Sequence, residues 1–81
     1  MMEGEFTWIG PLKESKHGGC YRVVTLRIFG DEKQAKVFLD PDCKNYKNWE
    51  QILQKGNIVG GLVWKNKESR IIDADSPVHL L

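Results

Sequence analysis

Apolar and polar residues alternate through two neighbouring runs in the first half of the chain. In the first, the even positions Val24, Leu26 and Ile28 are apolar; in the second, the odd positions Ala35, Val37 and Leu39 are. A period of two marks a strand with one buried face, so the spacing predicts an antiparallel hairpin with both triplets turned to one core. A turn centred on Asp31-Glu32, with two or four loop residues, pairs Ile28 with Ala35, Leu26 with Val37 and Val24 with Leu39. That register sets apolar against apolar throughout, and a buried face specifies register strongly.

Ahead of the hairpin, EFTWIGPL (5–12) is rich in β-formers, with Gly10-Pro11 as a bend, and KESKHGG (13–19) reads as a loop. Beyond Asp40-Pro41 the period lengthens. Tyr46, Trp49, Ile52 and Leu53 recur at helical spacing, with Asp42 or Asn45 placed to cap the start and Gly56 to end the helix. The segment from Asn57 to Leu81 then predicts a strand with a central Gly60-Gly61, a polar KNKES turn, and a final strand broken by Pro77. The order is βββαββ.

An all-β chain with one short helix between its third and fourth strands resembles the OB-fold, a five-stranded Greek-key barrel. The long, kinked first strand, the helix with Trp49 at its centre, and GNIVGGLVWK followed by IIDADS carry the resemblance across nearly the whole chain. An SH3-like barrel is disfavoured by the central helix; an α+β sheet with its helix on one face is the other alternative. The resemblance implies binding of single-stranded nucleic acid across the second and third strands, between the loop joining strands one and two and the loop joining strands four and five.

Composition narrows this picture without deciding it. Eighty-one residues, 41% hydrophobic and 28% charged, are expected to make a single domain over 1–81 that buries roughly 60% of its unfolded surface. The net charge of +1 gives no bulk attraction to nucleic acid, so any such attraction depends on where the cations sit. MMEGEF lacks a basic, then apolar leader, and no apolar run approaches the ~20 residues of a membrane span, so a cytoplasmic location without a membrane partner is expected. Cys20 and Cys43 are too few to staple a secreted scaffold and read as free thiols.

The register fixed by the two triplets turns Tyr21, Val23, Thr25, Arg27 and Phe29 outward on one strand and Gln34, Lys36, Phe38 and Asp40 on the other. It sets Arg27 opposite Lys36, a pairing that costs stability unless an anion shares the two charges. Phe38 falls opposite Thr25, and Phe29 at the turn. Rings that stack bases beside cations that hold phosphates suit a single strand of nucleic acid, DNA before RNA, with little sequence preference. The predicted site is therefore Phe29 and Phe38, with Tyr21 or Trp64 as further rings, and Arg27, Lys36, Lys13, Lys16, Lys65 and Lys67 on phosphates. His17 lies in the first loop.

The same exposed rings also suit a protein-interaction module or a homo-oligomer. A plainer reading packs Phe29 and Phe38 beneath a loop, and alternation assigns neither Trp8 nor Trp64 to core or ligand. Catalysis is not expected: no phosphate-cradling, dinucleotide or nucleophile signature is present, and no cofactor is implied. HGGC (17–20) has a metal-like spacing, but Cys43 and His79 are isolated on different predicted elements, so the four are not expected to bind zinc. Asp73 and Asp75 read as strand-ending, turn-capping residues rather than cation ligands.

Overall fold

The computed structural model describes residues 1–40, 42 and 46–81. Its strands are β1 (Met2–Ile9), β2 (Lys13–Glu14), β3 (Cys20–Ile28), β4 (Asp31–Leu39), β5 (Ile58–Leu62), β6 (Trp64–Asn66), β7 (Ile71–Ile72) and β8 (His79–Leu80), with one helix, α1 (Tyr46–Ile52). One sheet runs β6-β7-β4-β3-β1-β5-β8, with β2 joined to β3. All pairings are antiparallel except β4 with β7. Only Val63 separates β5 from β6 in the chain, yet the two lie far apart along the sheet path, so the sheet curls.

The hairpin keeps its predicted faces but not its predicted register. Val24, Leu26, Ala35, Val37 and Leu39 are buried, yet Val24 pairs with Ala35, Leu26 with Lys33, and Ile28 with Asp31. The turn is Phe29-Gly30, two residues with φ of 51° and 83°, the left-handed pair of a type I′ hairpin. Sliding by an even number of residues leaves every side chain on its face, so alternation could not choose between the registers. The apolar partner of Leu26 comes from the other neighbour, where β1 sets the fully buried Phe6 against it.

Phe29 lies outside both strands, fully exposed. A bulky side chain at positive φ is disfavoured by about 1–2 kcal/mol, whereas asparagine tolerates that region. Phe29→Asn is therefore expected to raise stability by about 1 kcal/mol, read as a higher urea midpoint at unchanged slope.

β1 starts at Met2, earlier than the sequence predicts, and carries a bulge: Phe6 pairs with Leu26 and Trp8 with Thr25. The extra residue, Thr7, puts Phe6 in the core while Trp8, 46% exposed, stands on the outer face. Simple alternation would have placed both on one side.

The helix buries Trp49 and Ile52, with Leu53 just beyond its end. The Trp49 indole donates to the Ala74 carbonyl at 2.8 Å and the Asn48 amide to the Val78 carbonyl at 3.2 Å, tying α1 to the segment before β8. The predicted stop at Gly56 is corrected: α1 ends at Ile52, whose carbonyl accepts from the Asn57 side chain at 3.0 Å. Gly56, at φ 93°, instead donates to the Phe6 carbonyl at 2.7 Å and turns the chain toward β5. The Asp42 amide donates to Asp40 Oδ1 at 3.0 Å. Asn45, the other predicted cap, lies outside the described residues.

The two ends of the predicted last strand separate, β7 beside β4 and β8 beside β5. Between them Asp73 accepts from the Asp75 amide at 2.9 Å, the turn-capping role expected of that pair. Buried Ser76 accepts from the Val63 amide at 3.0 Å and donates to the Asp73 carbonyl at 2.6 Å. Ser76→Ala strands the Val63 amide and is expected to cost about 1–3 kcal/mol in chemical denaturation. The following segment crosses β5 closely enough that a Cβ on Gly61 would collide with the Pro77 carbonyl. Among the described residues no helix is long and apolar enough to cross a membrane.

Candidate functional site

Residues directly opposed in an antiparallel sheet share a face, so the outer face of β1, β2, β3 and β4 can be read as cross-strand rows. Nearest the hairpin tip is Glu5–Arg27–Glu32, followed by Trp8–Thr25–Gln34; Val23–Lys36 lies beyond, and Lys13–Tyr21–Phe38 is at the open end. Ile71 of β7 extends the Lys36 row.

The tip row is electrostatically closed. Arg27 lies 3.0 Å from Glu32 Oε1 and 3.6 Å from Glu5 Oε1. The predicted confrontation of Arg27 with Lys36 does not occur, because the turn lies two residues earlier than Asp31-Glu32 and sets Lys36 opposite Val23. Phe38 likewise faces Tyr21, not Thr25. Tyr21 and Arg27 are six residues apart on β3, about 20 Å, so Arg27 and Phe29 stand well away from the other predicted rings.

The open end has a different character. The Tyr21 and Phe38 rings are tilted against each other with centroids 5.5 Å apart. Lys36 Nζ stands 5.4 Å from the Tyr21 centroid, within reach of a cation–π attraction. These residues form one side of a depression of about 340 Å³ whose other side is the loop after β2, with Glu14, Lys16 and His17. Lys13 pairs with Tyr21 at its edge.

Lys36 also borders a second depression, of about 220 Å³, with Val23, Gln34, Glu68, Ser69 and Arg70. The turn after β6 forms its far wall. The Lys36 amide donates to the Arg70 carbonyl at 3.0 Å, and Arg70 holds φ at 55°, which fixes this turn against β4. Both hollows adjoin Lys36, one on the side of the loop after β2 and the other on the side of the turn after β6.

Of the predicted residues, the structure gathers Lys13, Lys16, Tyr21, Lys36 and Phe38. Trp64, which alternation left open between core and ligand, pairs with the buried Ile72 and packs, partly covered, against the core. Lys65 and Lys67 are exposed at the end of β6 and the start of its turn, outside both hollows. Sequence reasoning leaves Trp8 open between core and ligand and misses Arg70. The Thr7 bulge concealed the first; Arg70 follows the predicted KNKES turn and enters the site only because β7 docks in parallel beside β4. Among the described residues no group of three or more His, Cys, Asp or Glu is placed to hold a metal ion; Cys43 lies outside them.

No protein-family model, curated protein or solved structure matches this chain.

Proposed function

We propose that the chain is an OB-type barrel module that binds single-stranded nucleic acid along the groove at the open end of β3 and β4. The OB reading is supported by the strand neighbours: β1 lies between β3 and β5, β7 returns parallel to β4, and the helix falls between the third and fourth long strands. β5 and β6 then count as one interrupted strand.

The observation that carries the binding reading is the Tyr21–Phe38 pair with Lys36 beside it, open to solvent between two loops. Bases stack on such rings for about 1–3 kcal/mol each whatever their identity, and cations between the rings meet the phosphates. An interface made for protein would be poor in lysine at its centre; here Lys36 is at the centre and Lys13 and Lys16 at the edge. Trp8, on the same face, adds a third ring.

Titration of a fluorescent single-stranded oligonucleotide at several salt concentrations tests the reading. Three or four phosphates held by Lys13, Lys16, Lys36 and Arg70 give a log–log salt slope of about −2 to −3. Lys36→Ala makes that slope shallower by about 0.7, whereas Arg27→Ala leaves both slope and affinity near wild type because Glu5 and Glu32 already neutralise it. Absence of binding at low salt rejects the proposal, and sedimentation of the free chain as an oligomer would favour the protein-interaction reading instead.

A further inference from the structure

Stacking and phosphate contacts account for the rings and cations of the two hollows but give their carboxylates no role. A groove for a polyanion gains nothing from a carboxylate, yet Glu14 borders the larger hollow and Glu68 the smaller one, of 220 Å³, where it lies beside Lys36 and Arg70. Among the described residues the side chains of Gln34, Glu68 and Arg70 form no hydrogen bond or ion pair, so their polar groups are available to a ligand. The hollow is smaller than the ~300 Å³ at which pockets for drug-sized ligands begin, and partly buried Val23 offers an apolar contact surface within it. Those dimensions and that surface suit one flat heterocycle.

Resting on the nucleic-acid reading above, we infer that this hollow is a subsite for a guanine base. An ionised carboxylate has two acceptor oxygens and no donor. Guanine is the one common base that presents two neighbouring donors, N1–H and the N2 amino group, on its Watson–Crick edge; thymine and uracil offer a single ring N–H, adenine and cytosine a single amino group. Lys36 and Arg70 border the same hollow and are the cations available to the guanine O6 beside N1–H. Binding is thus sequence-tolerant at Tyr21 and Phe38 and selective one step along the groove.

The test uses the full chain and four fluorescent oligothymidines: unmodified, or with one central guanine, inosine or adenine. Inosine keeps N1–H and O6 but lacks the N2 amino group. Guanine is expected to tighten binding about 5- to 150-fold over adenine, the range of a good bidentate contact, with inosine losing most of that gain. E68Q is expected to bring the guanine-to-inosine ratio close to one while binding unmodified oligothymidine more tightly, since a repelling charge has gone. Equal affinity of the wild type for guanine and inosine, or an E68Q variant that keeps the wild-type ratio, overturns the guanine subsite while leaving single-strand binding in place. Failure of every oligonucleotide to bind at low salt overturns both.

Discussion

Trp49→Ala is expected to leave the chain largely unfolded or to lower its melting temperature by more than 10 °C. Trp49 is fully buried and joins the helix to the core cluster that the strands supply. Truncating a buried tryptophan costs about 3–5 kcal/mol through lost burial and the cavity left behind. The Ala74 carbonyl also loses its indole donor. A domain of this length has about 4–12 kcal/mol of total stability, and each kcal/mol shifts the melting temperature by about 4–8 °C. Far-ultraviolet circular dichroism through a thermal scan checks it. A shift of only a few degrees would mean that α1 is not an integral part of the core.

The second large effect concerns binding. Phe38→Ala is expected to weaken every single-stranded oligonucleotide by about 1–3 kcal/mol, roughly 5- to 150-fold, with the salt slope unchanged because no cation is removed. Phe38 is 39% exposed, and its inward neighbours Val37 and Leu39, not its own ring, fill the core. Stability should therefore change little, which separates a binding defect from a folding one. Tyr21→Ala should behave alike but also free Lys36 from its ring contact. Anisotropy titrations at two salt concentrations read both quantities. A variant that binds as well as wild type would remove the aromatic pair from the site.

How far these expectations were legible in the sequence depends on which physical constraint each rests on. Period-two alternation identified the inward face, buried at Val24, Leu26, Ala35, Val37 and Leu39 and partly covered at Ile28, because a side chain's face is fixed by parity. Register depends on what each residue meets across the gap, and Leu26 meets Phe6 of β1 on one side and Lys33 on the other. Nothing local to the hairpin sequence encodes Phe6. A phenylalanine in the first left-handed position of a type I′ turn is also an unusual choice, which concealed the true turn behind the more ordinary Asp31-Glu32.

The site was legible in part for the same reason. Tyr21, Lys36 and Phe38 were assigned outward by parity and remain so, and the basic first loop reaches them. Arg27 was assigned outward equally well, but its charge is met by Glu5 and Glu32, partners that only the correct register reveals. Trp8 and Trp64 were left open by alternation, since a bulge sets the face of the first and pairing with Ile72 lays the second against the core. Arg70 depends on a parallel pairing between β4 and β7 that no short-range pattern announces.

The most direct measurement is a backbone amide NMR titration of the chain with a short single-stranded oligonucleotide at low salt. Progressive shifts are expected at Lys16, Tyr21, Lys36, Phe38 and Arg70, with Arg27, Phe29 and the outer positions of β5 and β8 unmoved. Shifts confined to the hairpin tip, or a spectrum that the oligonucleotide does not change, would contradict the placement of the ligand between the two loops.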